Sequence, residues 1–290
     1  MSATLVATIS VLFHGVAFAM VLYLISVGLS VTMGLMGFVN LAHGAFAMLG
    51  GYVLTTLMSR FGVPFLPAVA AAAVLTGLFS IPIERLLYAR FYGGDELDQV
   101  LLTIGLIFMS VAGVTWFWGP LVQPVQPPAW LSGEISLGFR NFPTYGVFLI
   151  AFGAALATLL WLGLERTPFG VQIRAAVDNL KMAQAIGINT SQLFMLAFAL
   201  GSGLAGLGGA IGAELLSITP TYGLDNLIFF LIVVAIGGLG SLRGSFVAAL
   251  VIGISDTFFE YLLPQFGAFL IYALTMAILL WRPMGLFGRT

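Results

Sequence analysis

Long uncharged runs alternate with short charged interruptions along this chain. Residues 1–59 carry no Asp, Glu, Lys or Arg, and the next uncharged run is 61–83. Others occupy 99–133, 141–164, 182–213, 226–242 and 261–281. A membrane span needs roughly 20 apolar residues. The first run is long enough for two spans and each later run for about one. The segment 245–263, which carries Asp256 and Glu260, adds a further one. The pattern predicts an all-α fold, a polytopic transmembrane helical bundle of eight or nine membrane helices forming a single domain over 1–290.

Two segments break the apolar rhythm. The stretch 165–190 reads ERTPFGVQIRAAVDNLKMAQAIGINT and is the most polar in the chain. Thr167 is placed to cap a helix with Pro168 at its first position. Gly187 suits a left-handed stop, and Asn189 or Thr190 suits the cap of the next span. One helix over 168–186 is therefore predicted. On it Arg174, Asp178 and Lys181 fall at i, i+4 and i+7 and form one charged stripe. Such a helix is either a solvated surface element or one that docks in a groove of a soluble partner. The second segment, 119–142, holds Gly119, Pro120, Pro124, Pro127 and Pro128 between Trp116, Trp118 and Trp130. It predicts an ordered loop at headgroup level, either touching a partner or connecting two spans.

Composition settles the solvent. The chain is 60% hydrophobic and 7% charged, with mean hydropathy +1.11. Soluble domains carry about 25% charged residues, and only lipid removes the cost of so much exposed apolar surface. A net charge of −1 leaves no basic footprint for nucleic acid. Without cysteine there is no disulfide framework and no thiolate chemistry. No cleavable leader is expected, because the first basic residue is Arg60. If 165–190 is cytoplasmic, alternation puts Arg85, Arg90, Arg166, Arg174, Lys181, Arg243, Arg282 and Arg289 inside, and Arg60 and Arg140 outside. That bias follows the positive-inside rule and predicts a cytoplasmic C-terminus. The N-terminus lies outside if two full helices precede Arg60, and inside if part of 31–50 is re-entrant.

Polar groups within the apolar runs are the candidate chemistry. Asn40 and His43 share a helix face among Gly37, Gly44, Gly50 and Gly51. They either line a pathway or bond across helices to fix packing. Thr103 and Gly105 are further pathway candidates. Glu214, Asp225, Asn226, Asp256 and Glu260 are expected near an interface. Gly37, Gly44 and Phe46 recur as Gly237, Gly244 and Phe246, an offset that marks a candidate internal repeat of 34–119 and 196–282. Arg243 then stands where the first copy has His43, either as an anchor at the internal surface or as a gate residue. GSGLAG at 201–206 matches a dinucleotide pattern, but it lies inside an apolar helix with no preceding strand. Ser202, Gly206 and Ala210, with Gly208 and Gly212, predict helix–helix packing instead. The NTS at 189–191 falls on the predicted inner side and is discounted as a glycosylation acceptor.

Four patches carry a family resemblance. GFVNLAHGAFAMLGGY at 37–52, ERLLYAR at 84–90, RAAVDNLKMAQAIGIN at 174–189 and AIGGLGSLRGSF at 235–246 resemble the permeases for branched-chain amino acids, the transmembrane subunits of ABC importers. The order and extent match nearly the whole chain. The resemblance implies a transport subunit of the bacterial inner membrane rather than an enzyme. It implies a second homologous permease subunit, two cytoplasmic ATPase subunits that bind ATP and Mg, and an external substrate-binding protein. The 165–190 segment becomes the ATPase-coupling loop, with Arg174, Asp178, Asn179, Lys181 and Gly187 as coupling residues. The ligands implied are leucine, isoleucine and valine; close relatives carry other amino acids, urea, amides or aromatic acids. No phosphate-binding G-x-x-x-x-G-K-[ST] occurs, so this chain is not the ATPase by that route. No cofactor or metal is expected on it, since its only histidines are His14 and His43. The alternatives are an ion-coupled secondary transporter and a passive channel for small polar solutes such as urea. The first is disfavoured because no carboxylate precedes Glu84.

Overall fold

The computed structural model describes residues 3–136, 138 and 140–288; Arg289, included in the charge count above, lies outside them. In chain order the helices are α1 Ala3–Met36, α2 His43–Phe61, α3 Phe65–Leu86 and α4 Glu96–Trp118. After strands β1 Glu134–Ser136 and β2 Asn141–Pro143 come α5 Thr144–Arg166, α6 Pro168–Asp178, α7 Leu180–Ala185 and α8 Thr190–Leu216. The chain finishes with α9 Tyr222–Asp225, α10 Leu227–Gly237, α11 Leu242–Leu262 and α12 Gly267–Trp281. The protein is a polytopic helical bundle. Among the described residues, six helices, α1, α3, α4, α5, α8 and α11, are long and apolar enough to cross a membrane. α2, α10 and α12 fill the remaining predicted positions as shorter apolar helices.

Capping chemistry separates the two ends of the bundle. Side-chain caps on α4 (Asp95), α6 (Thr167), α7 (Asn179), α8 (Asn189) and α11 (Ser241) satisfy first-turn N–H groups. All five sit at one end, where water would compete for those groups. The same end is tied together by long-range bonds. Arg85 Nη1 donates to Ser191 Oγ at 2.6 Å, Gly240 N to Ser30 O at 3.0 Å, and Leu286 N to Ile236 O at 2.6 Å. The segments 84–98, 165–190, 238–243 and 282–288 thus form one polar end, the grouping that the charge pattern predicted. At the opposite end β1 and β2 pair antiparallel in the register Glu134↔Pro143, and Gln123 bridges to Ile218. Trp118 Nε1 donates to Thr56 Oγ1 at 2.8 Å.

α8 is the core of the bundle. It packs against α1, α2 and α3, while α11 lies along α1. Contacts are backbone to backbone: Gly28 meets Gly201, Gly50 meets Gly206, and Gly209 meets Ala47. Gly206 also faces Thr76, with 2.6 Å between a built Cβ and Oγ1. Ser202, Gly206 and Ala210 are buried, as the small-residue stripe predicted. α4 and α5 instead show most of their surface outward.

The single predicted helix over 168–186 is two helices. The chain extends at Asn179, with φ −157° and ψ 98°. Its Oδ1 accepts Met182 N at 3.0 Å and starts α7 afresh. An Asn side chain competes with the helix for backbone donors, and the preceding reading of an unbroken charged stripe overlooked it. The Thr167 cap, Pro168 at N1, the left-handed Gly187 (φ +90°) and the Asn189 cap all stand where expected.

The packing makes a stability prediction. A Cβ at Gly209 would overlap the Ala47 carbonyl, whereas Gly163 has nothing within 4 Å. Gly209→Val should cost at least about 1–3 kcal/mol through overpacking and lower the thermal midpoint in detergent. Gly163→Ala should leave it unchanged.

Candidate functional site

The sequence candidates Asn40 and His43 fall at a break between two helices. α1 ends at Met36, and Gly37 turns the chain with φ +58°. Residues 37–42 then run back along α1, because His43 Nε2 lies 3.0 Å from the Ile25 carbonyl oxygen. A carbonyl only accepts, so Nε2 carries the proton. Ile25 precedes Met36 by eleven residues, roughly 16 Å of helix at 1.5 Å per residue. α2 therefore starts deep in the bundle rather than at its polar end.

A second break faces the first. α10 has 11 residues, about 16 Å of helix, well short of a ~30 Å hydrocarbon core. Residues 217–226, with α9, therefore also lie at depth. A Cβ on Gly44 would stand 2.7 Å from the Gly223 carbonyl oxygen, so the two breaks touch. The N-cap positions of α2, α9 and α10 (Ala42, Thr221 and Asn226) make no side-chain cap bond. Helix N-termini at depth are partial positive charges.

Side chains from three elements hold the first break. Tyr88 donates to Asn40 Oδ1 at 2.8 Å, and Val39 N donates to Gln99 Oε1 at 3.1 Å. Gln99 Nε2 reaches the carbonyls of Phe91 (3.3 Å) and Gly94 (3.5 Å). Tyr92 donates to Glu84 Oε1 at 2.8 Å. Burial first, and this bond second, push the Tyr92 phenol above its usual range, so it stays a donor. Asn40 Nδ2 and Tyr222 Oη are buried with no hydrogen-bond partner among the described residues. Buried polar atoms left in this way mark a position where a polar guest gains most.

The remaining sequence candidates divide. Thr103 is buried beside Gln99, and its hydroxyl donates to the Gln99 carbonyl at 3.0 Å. Gly105, on the other face of α4, points outward with nothing within 4 Å. Arg174 turns back into the bundle, bonding the Leu164 carbonyl and lying 3.9 Å from Glu165. Asp178, Asn179, Lys181 and Gly187 lie on the outer surface of α6–α7, next to the exposed apolar side chains of Met182 and Ile186. Arg243 pairs with Glu165 at 3.4 Å and covers the Trp161 ring at 5.6 Å. Sequence reading missed Tyr88, Gln99, Glu84 and Glu165. The ERLLYAR patch held Glu84 and Tyr88 in plain view, but Tyr88 pairs with Asn40, 48 residues away. The Gly37/Gly44/Phe46 and Gly237/Gly244/Phe246 sets each span a helix end, a glycine turn and the first turn of the next helix.

The family described as branched-chain amino acid transport system / permease component matches residues 11–279. The permease protein BraD of the high-affinity branched-chain amino acid transport system of Pseudomonas aeruginosa is 28% identical over 92% of this chain and 91% of its own length. LivH of Escherichia coli K12, a permease protein of the same kind of system, is 26% identical over 96% of this chain and 94% of its own. LivM of the same organism is 24% identical over 93% and 68%. No solved structure matches the chain.

Tyr88→Phe removes the hydroxyl that Asn40 accepts. It should destabilise the fold by about 0.6 kcal/mol, and by no more than about 1.7, the range for interhelical bonds in membranes. Thermal unfolding in detergent reads the change directly. A drop equal to that of Gly209→Val would mean that Tyr88 acts through packing instead.

Proposed function

The chain belongs to the branched-chain amino acid transport permease family, and from that premise we propose that it is a permease subunit of an ATP-binding cassette importer. In this reading it pairs with a second, homologous permease to form a path for branched-chain amino acids across the inner membrane. That LivH and LivM of one organism both align along it supports such a pairing. Two cytoplasmic ATPase subunits, binding ATP and Mg, drive the cycle, and an external binding protein delivers the ligand. The polar end, and the C-terminus with it, faces the cytoplasm.

The observation that carries this reading is the ordered pair α6–α7. It presents Lys181, Met182 and Ile186 outward, a mixed charged and apolar face of the kind that fits a groove on a partner. Its inner side is clasped to the bundle, since Glu165 contacts both Arg174 and Arg243. Motion at the docked helices then passes to the start of α11. Arg174 transmits in this scheme, while Asp178, Asn179, Lys181 and Gly187 shape the docking face.

The path runs by the facing helix breaks. An amino acid carries a carboxylate, and half-helix N-termini at depth suit a carboxylate. Asn40 Nδ2 supplies a further donor beside α2. His43, bonded to Ile25, holds the start of α2 in place. Thr103 backs the Gln99 brace, and Gly105 faces the partner permease or lipid. The two helix–turn–helix units at 34–46 and 234–246 are read as halves of an internal repeat.

Two measurements test this. Lys181→Glu combined with Met182→Asp should cut copurification of the ATPase at least tenfold while the permease itself stays folded; intact assembly and transport would remove α6–α7 from the docking role. Asn40→Asp places an acceptor where a donor is required. It should lower uptake of leucine into vesicles at least tenfold with the complex still assembled, and unchanged uptake would place the path elsewhere.

A further inference from the structure

Two cavities outside this site share one residue. The first, of about 910 Å³, opens at the polar end. Its mouth carries Trp161, Glu165, Arg174, Asp178, Ser241 and Arg243, and its walls are apolar, with Val31, Leu231, Val234 and Leu279. The second, of about 410 Å³, is a groove between α10 and α12 lined by Ile228, Ile232, Tyr272 and Met276. Leu279 lines both. The first cavity touches Ala235 and the groove reaches Ile228, about 10 Å further along α10. A polar mouth thus adjoins, across Leu279, an apolar furrow on the side of the bundle, rimmed by exposed Met276, Leu280 and Met284.

The mouth has a defined charge pattern. Arg243 lies 3.4 Å from one Glu165 oxygen and Arg174 3.9 Å from the other. Their side chains are 64%, 39% and 44% exposed for Arg243, Arg174 and Glu165, so a ligand reaches them. Guanidinium groups favour phosphate, and the carboxylate between them favours an ammonium. Trp161 under Arg243 places this rim at headgroup level. A free amino acid would satisfy the charges but not fill the furrow.

We propose that the cavity and groove form a binding site for one zwitterionic phospholipid. The phosphate lies on Arg243, the amine of an ethanolamine headgroup lies beside Glu165, and an acyl chain passes Leu279 into the α10–α12 furrow. The charge complementarity of the mouth and the apolar groove that meets the cavity at Leu279 argue for lipid over a polypeptide. The mouth shares Arg174, Glu165 and Arg243 with the clasp invoked for coupling, but lipid binding there does not depend on ATPase docking.

The test is native mass spectrometry of the full-length protein in mild detergent, after incubation with equimolar phosphatidylethanolamine and phosphatidylglycerol. The expected result is one phosphatidylethanolamine retained per chain, at least threefold over phosphatidylglycerol. Leu279→Trp, which blocks the passage, should lower retention at least fivefold, and Leu101→Trp, on the exposed face of α4, should not. Should Leu279→Trp fail to fold, Arg243→Gln gives the second readout, a loss of the headgroup preference. Equal retention of both lipids, or full retention in Leu279→Trp, overturns the proposal. So does a lipid-free site in the assembled transporter, with Leu280 cross-linking to a partner chain.

Discussion

Along Gly201–Gly212 α8 meets its neighbours almost entirely through small residues. At Gly201, Gly206 and Gly209 the backbone of α8 lies directly against α1, α2, α3 or residues on them. In lipid there is no hydrophobic force to press helices together, so dispersion between closely approaching backbones has to do it. Everything else hangs on this spacing. α1 and α2 are both held against α8, which brings the start of α2 beside Ile25. α3 is held there too, which carries Tyr88 to Asn40. Widening any one of these contacts by the radius of a methyl group would separate the residues that close the helix break.

That closeness permits a broken backbone at depth. A chain that leaves helical conformation in the membrane exposes donors and acceptors that lipid does not satisfy. Here Gln99 and Tyr88 meet those of residues 39–40, and His43 bonds back to α1. The brace is incomplete, because Asn40 Nδ2 and Tyr222 Oη keep unused capacity beside two uncapped helix starts. A site for a small charged solute requires that combination of rigid walls and spare donors. At the polar end Glu165 links α6 to the first turn of α11. Surface ion pairs contribute little to stability singly; their worth here is geometric, since they fix α6 relative to the bundle.

Much of the architecture was legible in the chain. Uncharged runs located the helices, because a charge inside hydrocarbon is costly enough to be confined to their ends. Pro168, Thr167, Gly187 and Asn189 located the ends of the polar segment 165–190, because capping is decided within three or four residues. The small residues of α8 announced close packing. Asn40 and His43 stood out as polar groups in an apolar run. Asn179 caps a new helix and so splits the predicted stripe, leaving Arg174 and Asp178 on α6 and Lys181 on α7.

The sequence by itself determined the solvent, the helical class, the polar end and the family, since composition, period and motif are properties of neighbouring residues. Only the tertiary structure decided which polar residues meet. Tyr88 and Asn40 are separated by 48 residues, Gln99 and Val39 by 60, and Arg243 and Glu165 by 78. No local rule relates such pairs, because their distances depend on how α8 spaces the helices around it. The same packing decided that α2 begins at depth, a fact that a hydropathy pattern does not carry, since a run of apolar residues reads alike whether its helix starts at the membrane surface or halfway through.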